Sequence, residues 1–378
     1  MDFTKTCEEI KSSSEFFTPL AYALGIGYFG EVSKKLIYID FANVNYNENI
    51  NTFAIFFKEL GLAKYKNESE LSIEVKENDL KNILKHFECF ANDGKKHTNI
   101  EVLKAALENI KQERFFLVAI NKDEAPKSVE SVYLKLHLLS RKFVKPRELN
   151  LSGAFGLLKN LAWSGNTPYE LEYLREFEAK LKFAKKYPVI DFVDKFPRYL
   201  QSIIPADNTR ILDTSKVRLG AHLADGTTIM PGASYINFNA GTLGAVMCEG
   251  RISSSAIVGD GSDVGGGASI LGVLSGTDGT PISVGKRCLL GANSVTGIVL
   301  GDDCIIDAGI AILSGSKIEL ILSDDLKAAN PNFDFNKNIY KGIELSNLNA
   351  LHFRLNSTNG KLQASFNKKA IKLNKDLH

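Results

Sequence analysis

The feature that most constrains this chain is an aliphatic residue that recurs every six positions between Val217 and Ile318. A helix repeats every 3.6 residues and a strand every two, so neither element alone produces a period of six. A coil of three short strands and three turns per circuit does produce it, with the aliphatic side chains pointing inward. The recurring positions form four phased blocks: Val217, Leu223 and Ile229; Ile252, Val258 and Val264; Val284 and Leu290; Leu300, Ile306 and Ile312.

Small residues follow most of these aliphatic positions four places later, where a coil turns its corner. They are Ala221, Thr227, Ala233, Ala256, Ser262, Ala268, Cys288 and Ser294. Such a coil is a solenoid whose rungs hydrogen-bond to each other at a spacing of about 4.8 Å. A hundred residues supply roughly five or six rungs, above the minimum of about three that can bury a shared core. A glycine-rich β-sandwich would instead show alternation of period two and hairpin turns, which this region lacks.

The rest of the chain predicts an α/β or α+β domain before the solenoid and a small β cap after it. The expected strands before the solenoid are 35–46, 71–75 and 114–120, and the expected helices are 52–62, 79–90, 100–110, 129–139 and 169–185, with a continuation over 191–196. A polar linker is expected over 323–338, followed by two strands around the turn at Asn359 and Gly360. We therefore expect three parts, residues 1–205, 206–320 and 321–378.

Composition and charge exclude several classes of function. The net charge of +2 and the lack of a basic, aromatic-rich patch argue against nucleic acid as a partner. No run approaches the roughly 18 apolar residues of a membrane-spanning helix, and the first residues do not resemble a secretory signal. The five cysteines form no CxxC pair, which is typical of reduced, mostly buried thiols in a cytoplasmic protein.

An aliphatic solenoid core is chemically inert, so we expect the functional residues where the count of six breaks. The breaks are 235–251, 265–281 and 296–299. Glu249 is the only acidic residue in the first of them, and a carboxylate can remove the proton from an attacking ammonium group. Arg251 follows two residues later, and i and i+2 share a face on an extended segment. The alternative is that the two residues form a structural ion pair.

Other residue types near the breaks suit a phosphorylated ligand. Gly265, Gly266 and Gly267 would permit close approach of a ligand, with Ser269 as a hydroxyl donor, although tight turns would also require glycine there. A guanidinium such as that of Arg251 suits a carboxylate or a phosphate. Three further basic residues are candidate phosphate partners: Lys286, Arg287 and Lys317.

Two segments of the solenoid resemble the longer form of the tetrahydrodipicolinate N-succinyltransferases of lysine and diaminopimelate biosynthesis. They are NFNAGTLGAVMCEGRISSSAIVGDGSDVGGGASILGVLSG and ISVGKRCLLGANS. The likeness is weaker in SVYLKLHLLSRKFVKP and in the SNLNALHFRLNS tail. It implies a homotrimer of left-handed parallel β-helices. It also implies transfer of a succinyl group from succinyl-CoA to the amine of L-2-amino-6-oxopimelate.

The resemblance also assigns roles to individual residues. Glu249 takes the catalytic role, either as a base or as the carrier of an acyl anhydride, and the sequence leaves both open. The residues implied in binding succinyl-CoA are Arg251, Gly266, Ser269, Ala292, Asp307, Ala308, Gly309, Lys317, Arg354, Asn356 and Ser357. Some members of the family hold a divalent ion on the trimer axis with acidic residues. The corresponding positions here, Ser215 and 230–233, are not acidic, which argues against an axial metal.

His222 and Cys248 are two further residues of the solenoid with expected roles. His222 lies between two hexads and is expected to be an interface or substrate contact, ranked behind Glu249 as a base. Cys248 has no histidine near it in sequence and is expected to pack as a buried thiol. A carbonic anhydrase on this scaffold would need three zinc-binding histidines, and the solenoid offers only His222. An amino-sugar acetyltransferase on the same scaffold is the alternative function.

Overall fold

The structure is a computed structural model, and it describes residues 3–90, 97–273, 279–371 and 373. The chain divides into two compact units. The first comprises Met1–Leu138 and Leu149–Pro197, and the second comprises Leu139–Glu148 and Arg198–His378.

The first unit contains two antiparallel sheets and their helices. Its helices are α1 Phe3–Ser12, α2 Ile50–Glu59, α3 Glu77–His86, α4 Thr98–Asn109, α5 Val129–Ser140, α6 Ala154–Leu157, α7 Leu171–Glu176 and α8 Glu178–Phe183, and the last two residues of α5 belong to the second unit. Its strands are β1 Ala21–Phe29, β2 Leu36–Phe41, β3 Asn45–Tyr46, β4 Glu70–Val75, β5 Arg114–Ile120, β6 Leu161–Ser164, β7 Thr167–Glu170 and β8 Phe192–Asp194. The larger sheet has the order β2-β1-β5-β4, with β3 paired to β1, and the smaller has the order β7-β6-β8.

Several expectations for this unit are confirmed and others are wrong. The strand at 114–120 and the helix that starts at residue 129 are confirmed. The helix expected over 169–185 is wrong at its start, because β7 occupies Thr167–Glu170 and pairs with β6. The continuation expected over 191–196 is a strand, β8, whose Phe192 stacks on Trp163 with ring centroids 6.0 Å apart. This pairing with a distant strand overrides the local helical pattern.

The second unit contains the hexad region, and its strands form three parallel sheets that the chain visits in turn. We call these sheets the first, second and third faces. The first face contains β9 Arg210–Ile211, β10 Thr228–Ile229, β13 Val246–Cys248, β16 Ser262–Val264, β19 Leu289–Leu290, β21 Ile305–Ile306 and β25 Leu351–Leu355. The second contains β11 Tyr235–Ile236, β14 Arg251–Ile252, β17 Ser269–Ile270, β20 Val295–Thr296 and β22 Ala311–Ile312. The third contains β12 Gly241–Thr242, β15 Ile257–Val258 and β18 Ser283–Val284.

The inward position of the aliphatic hexad residues is confirmed. Each of the eleven is at most 3% exposed, and together they form the core of the coil. Ala233 is expected to be the buried small residue of its corner, and this prediction is wrong. Ala233 is exposed, and Ser234 is buried in its place. One extra residue in this corner causes the shift, since Ile229 and Ile236 are seven positions apart.

The coil continues through the first expected break. Residues 235–251 form four strands in parallel register with the following circuit, so they do not interrupt the solenoid. The inward positions are filled there by Ile236, Thr242 and Cys248, all with 0% exposure. The break was inferred because two of these three residues are not aliphatic. In the break expected over 265–281, residues 274–278 lie outside the described part of the chain.

The C-terminal segment confirms one expectation and corrects another. β25 and β26 Leu362–Phe366 pair in antiparallel fashion around the turn at 359–360, as predicted, and β25 adds to the first face. The expected polar linker contains a short helix, Asp324–Ala329, whose first turn is capped by the Ser323 side chain. The remaining elements are α9 Tyr199–Ser202, β23 Lys317–Ile321 and β24 Ile339–Lys341.

Glu170 illustrates how a buried charge is stabilised in the first unit. Its side chain is 3% exposed and accepts hydrogen bonds from the backbone N–H groups of Val32 and Ser33 at 2.9 and 3.0 Å. Lys159 Nζ lies 3.3 Å from its other oxygen. Burial favours the neutral form, but these hydrogen bonds outweigh burial and lower the pKa of Glu170 to about 2.

We therefore expect Glu170→Gln to destabilise the protein at neutral pH by about 1.5–3 kcal/mol, because charge-assisted hydrogen bonds are lost. A carboxyl whose folded pKa is depressed stabilises the fold above its unfolded pKa. The difference from wild type should therefore shrink as the pH falls from about 4.5 towards 2. Urea unfolding at several pH values measures it, with the exposed Glu176→Gln as a control that should change little. A difference that is independent of pH would contradict this account.

Candidate active site

Glu249 lies at the corner between the first and second faces, at a point where the coil turns in fewer residues than usual. Cys248 pairs with Val264, and Ile252 pairs with Ile270 on the next rung. The Glu249 rung therefore crosses this corner with two residues fewer than the rung that follows it. A turn with two residues fewer cannot extend as far outward as the turn above it, so we call this position the recess, and Glu249 is half-buried there.

The residues that directly follow the inward-facing residues of the first face are stacked in a column, which we call the corner column. Its backbone N–H groups donate to the carbonyl oxygens of the next rung at 2.8–3.0 Å, from Glu249 to Val264, from Gly265 to Leu290, from Gly291 to Ile306 and from Asp307 to Phe353. The column therefore runs Glu249, Gly265, Gly291, Asp307 and Arg354. At about 4.8 Å per rung, Asp307 lies about 14 Å from Glu249 along the column.

The middle of the corner column has no side chains because the stacking requires glycine. A Cβ atom on Gly265 would lie 2.6 Å from the Leu290 carbonyl oxygen, and one on Gly291 would lie 2.5 Å from the Ala308 backbone nitrogen. Both positions are half-exposed. The result is a strip of bare backbone with an acidic group at one end and Asp307 and Arg354 at the other.

The turn residues beside this strip are also small. Gly267 donates its N–H to the Glu249 carbonyl, Asn293 to that of Gly266, and Gly309 to that of Ala292, at 2.8–3.1 Å. These hydrogen bonds stack the corner of each rung on the corner before it. They place four residues that the resemblance implied, Gly266, Ala292, Ala308 and Gly309, along the bare strip above Glu249.

The far end of the strip carries the polar groups. Asp307 Oδ2 lies 3.7 Å from Arg354 Nε, and Asp307 Oδ1 lies 2.7 Å from His352 Nε2. Asn356 and Ser357 follow in the turn after β25. His352 is a component that sequence analysis missed. Its position two residues before Arg354 on a strand is the signal that could have found it.

Arg251 and Ser269 lie on the second face beside the corner column. They are direct Cα partners, and Tyr235 is the partner of Arg251 on the preceding rung. The argument that Glu249 and Arg251 share a face because they are two residues apart is wrong. Glu249 and Gly250 form a bend between two strands, so the segment is not extended there.

The other basic candidates lie outside the corner column, and Lys317 is in the sheet that contains Arg354. Arg287 is at a different corner, where its guanidinium forms two hydrogen bonds of 2.7 Å with Asp303. The Arg287 guanidinium, which was expected to bind phosphate, is therefore already paired with a carboxylate. Lys317 opens β23 and is the exposed cross-strand partner of Lys341, so two exposed lysines lie opposite each other.

His222 and Cys248 are placed away from the recess or turned into the core. His222 is 6% exposed, and its Nδ1 lies 2.9 Å from the Thr242 carbonyl oxygen. Burial lowers its pKa, so the ring is neutral at pH 7. The Cys248 thiol has 0% exposure, and burial raises its pKa to about 12. Its expected role as a packed thiol is confirmed.

The described ranges contain neither a cluster of metal-ligating side chains nor a membrane-spanning helix. No group of three or more His, Cys, Asp or Glu side chains within 3–90, 97–273 and 279–371 could hold a metal ion. Within the same residues, no helix is long and apolar enough to span a bilayer.

Three family models match this chain. The N-terminal model of tetrahydrodipicolinate N-succinyltransferase matches residues 1–156 and the middle model of the same family matches residues 158–198. The model for the hexapeptide repeat of succinyl-transferases matches residues 281–314.

Relatives and a solved structure agree with these models over nearly the whole chain. The relatives are 2,3,4,5-tetrahydropyridine-2,6-dicarboxylate N-succinyltransferases. The one from Campylobacter jejuni is 55% identical over 100% of this chain and 98% of its own, and the one from Helicobacter pylori is 46% identical over 100% and 99%. A crystal structure of a 2,3,4,5-tetrahydropyridine-2-carboxylate N-succinyltransferase from C. jejuni superposes with a TM-score of 0.94 at 54% identity. It covers 98% of each chain.

The three-faced coil of hexads with a carboxylate at one corner places the chain among the hexapeptide-repeat transferases. Within that class, the chain belongs to the tetrahydrodipicolinate N-succinyltransferase family, to which its N-terminal and middle regions also match.

The glycines of the corner column give a paired prediction. Gly265→Ala should destabilise the protein by about 1–3 kcal/mol, because the new methyl group meets the backbone of the next rung. Gly266→Val should fold normally, because a Cβ there has only Glu249 Oε2 near it, at 3.5 Å, and the backbone φ is not positive. It should instead block the space beside Glu249 and lower kcat/KM by about tenfold or more. Urea unfolding and turnover separate the two effects, and a loss of stability in Gly266→Val with normal turnover would contradict this geometry.

Proposed function

We propose that this protein transfers a succinyl group from succinyl-CoA to the amine of L-2-amino-6-oxopimelate, the hydrated form of tetrahydrodipicolinate. The observation that carries the proposal is the corner column. It joins a recessed carboxylate to an Asp–Arg pair across a bare strip of backbone about 14 Å long. Succinyl-CoA fits this arrangement, because its thioester and its phosphates lie at opposite ends of a long arm. Relatives named for this activity support the proposal.

In this arrangement the pantetheine arm lies along Gly265, Gly266 and Gly291, with its amide groups close to backbone. The phosphate end lies towards Arg354 and the turn that holds Asn356 and Ser357, with Lys317 as a further basic contact. Asp307 can accept a hydrogen bond from the bound coenzyme. The thioester then reaches the recess at Glu249, where Arg251 and Ser269 lie on the neighbouring face.

The chemistry requires that the acceptor amine lose a proton before it attacks. Glu249 takes that proton, the amine nitrogen bonds to the thioester carbonyl carbon, and the carbon–sulfur bond breaks. The nitrogen loses its second proton to the leaving CoA thiolate, which gives the amide and free coenzyme A, and Glu249 then releases the first proton to water. Arg251 can pair with the distal succinyl carboxylate through its two-pronged guanidinium. An acyl anhydride on Glu249 is the alternative route, although a thioester is already activated for direct attack.

The finer architecture is also part of the proposal. The parallel faces are taken as a left-handed β-helix that assembles into a homotrimer, with residues 1–205 as an N-terminal domain and 321–378 as a cap. The family resemblance supports these features, and the flat faces of a solenoid suit symmetric association. Sedimentation velocity tests the assembly, since a single 41.6 kDa species would contradict it. The sequence also supports a cytoplasmic location and argues against a resident metal.

The donor specificity distinguishes this proposal from acetyl transfer on the same scaffold. With tetrahydrodipicolinate as acceptor, thiol release from succinyl-CoA should exceed release from acetyl-CoA. Arg251→Lys should lower kcat/KM for succinyl-CoA about tenfold more than for acetyl-CoA, because an ammonium cannot reproduce the two-pronged contact. A preference for acetyl-CoA with an amino sugar would overturn the proposed function. Equal loss with both donors would move Arg251 to a different role.

The role of Glu249 is tested by Glu249→Gln. Turnover should fall by about 10²–10⁴, because the amide keeps the shape of the side chain but cannot accept the proton. Coenzyme A affinity should be retained, and activity should recover in part as the pH rises and more of the amine is neutral. Asp325→Asn, at an exposed position in the helix Asp324–Ala329, is the matched control and should have wild-type turnover.

Two outcomes would change the assignment of Glu249. An anhydride mechanism predicts no recovery with pH, and it predicts that label from succinyl-CoA is trapped on Glu249 in the absence of acceptor. Hydroxylamine quenching and peptide mapping detect that label. Near-wild-type turnover in Glu249→Gln would remove the residue from both mechanisms.

A further inference from the structure

His352 lies at the end of the corner column farthest from Glu249. It is on β25, where Leu351 and Phe353 point into the core with 0% exposure. Strand alternation therefore places His352 and Arg354 together on the outer side of the first face. The His352 side chain is nevertheless only 10% exposed, so its ring is held among other groups.

Asp307 is the group that both of these side chains approach. The distance from His352 Nε2 to Asp307 Oδ1 is 2.7 Å, which is typical of a charge-assisted hydrogen bond. The distance from Arg354 Nε to Asp307 Oδ2 is 3.7 Å, which is too long for a hydrogen bond. His352 is therefore the closer partner of the Asp307 carboxylate, and Arg354 is only loosely paired.

The loose pairing has a consequence for any anion that Arg354 binds. A carboxylate that is free to turn forms two parallel hydrogen bonds with a guanidinium. If Asp307 did so, it would occupy the donors of Arg354 that an incoming phosphate needs. In the structure Asp307 Oδ1 is bonded to His352, and the double pairing with Arg354 does not form.

We propose that His352 is a positioning residue, which holds Asp307 away from full pairing with Arg354 and keeps the guanidinium available to the phosphate end of coenzyme A. This inference rests on the proposed function, because it takes Arg354 as a contact to the coenzyme. His352 itself touches neither the acyl group nor the acceptor.

Two variants of similar polarity test the proposal. Glutamine places its amide nitrogen near the position of His352 Nε2, so His352→Gln should retain the bond to Asp307. Asparagine is too short to reach, so His352→Asn should release it. Calorimetry with coenzyme A should give a Kd within about threefold of wild type for Gln and about tenfold weaker for Asn. The kcat at saturating succinyl-CoA should be unchanged in both.

A second background separates positioning from a general loss of structure. In Arg354→Gln the group that His352 protects is absent, so His352→Asn should cause no further loss of affinity. Nitrogen NMR of the unsubstituted protein gives a readout that does not depend on any variant folding. His352 must carry a proton on Nε2 in order to donate to Asp307.

The possible failures are distinguishable. If wild-type protein binds coenzyme A but His352→Asn binds equally well, His352 has no positioning role. The same conclusion follows if His352→Asn weakens binding equally in the Arg354→Gln background, or if Nε2 carries no proton. If wild-type protein does not bind coenzyme A at all, the proposed function itself is overturned.

Discussion

The hydrogen-bonded stacking of one rung on the next is the constraint on which the rest of the solenoid depends. Parallel pairing fixes the spacing between rungs and the register of their residues. Outward side chains that are far apart in sequence are therefore aligned in columns. Glu249 and Arg354 lie in one such column because Cys248, Val264, Leu290, Ile306 and Phe353 pair in unbroken register on the first face.

Stacking also explains why the candidate site is made of glycine and small residues. At Gly265 and Gly291 a side chain would collide with the rung above, so the coil itself requires glycine. The same absence of side chains leaves backbone exposed between the two polar ends of the column. Under the proposed function, the same residues would meet both a requirement of packing and a requirement of ligand access. Gly266 differs, because a Cβ atom there would have only Glu249 Oε2 near it, at 3.5 Å, so packing does not account for glycine at this position.

The sequence located the hexads correctly but misjudged where the coil is interrupted. Residues 235–251 were expected to leave the solenoid, because aliphatic residues stop recurring there. Thr242 and Cys248 fill the inward positions with 0% exposure, so the pattern weakened while the fold continued. The strand at Phe192–Asp194 was missed for a related reason, since its partner is β6, far away in sequence. Short elements are specified by what they pair with more than by their own residues.

The sequence by itself determined the solenoid, because an inward aliphatic residue every six positions is a local and repeated signal. It also indicated the family, through the likeness of two solenoid segments, and the catalytic candidate, because Glu249 is the single acid of residues 235–251. Only the tertiary structure decided that Glu249 lies in a recessed corner, that Arg251 points from a different face, and that His352 reaches Asp307 at 2.7 Å. These relations depend on register and on the number of residues in each corner. Both are set when rungs stack, and neither can be read from the identity of any one residue.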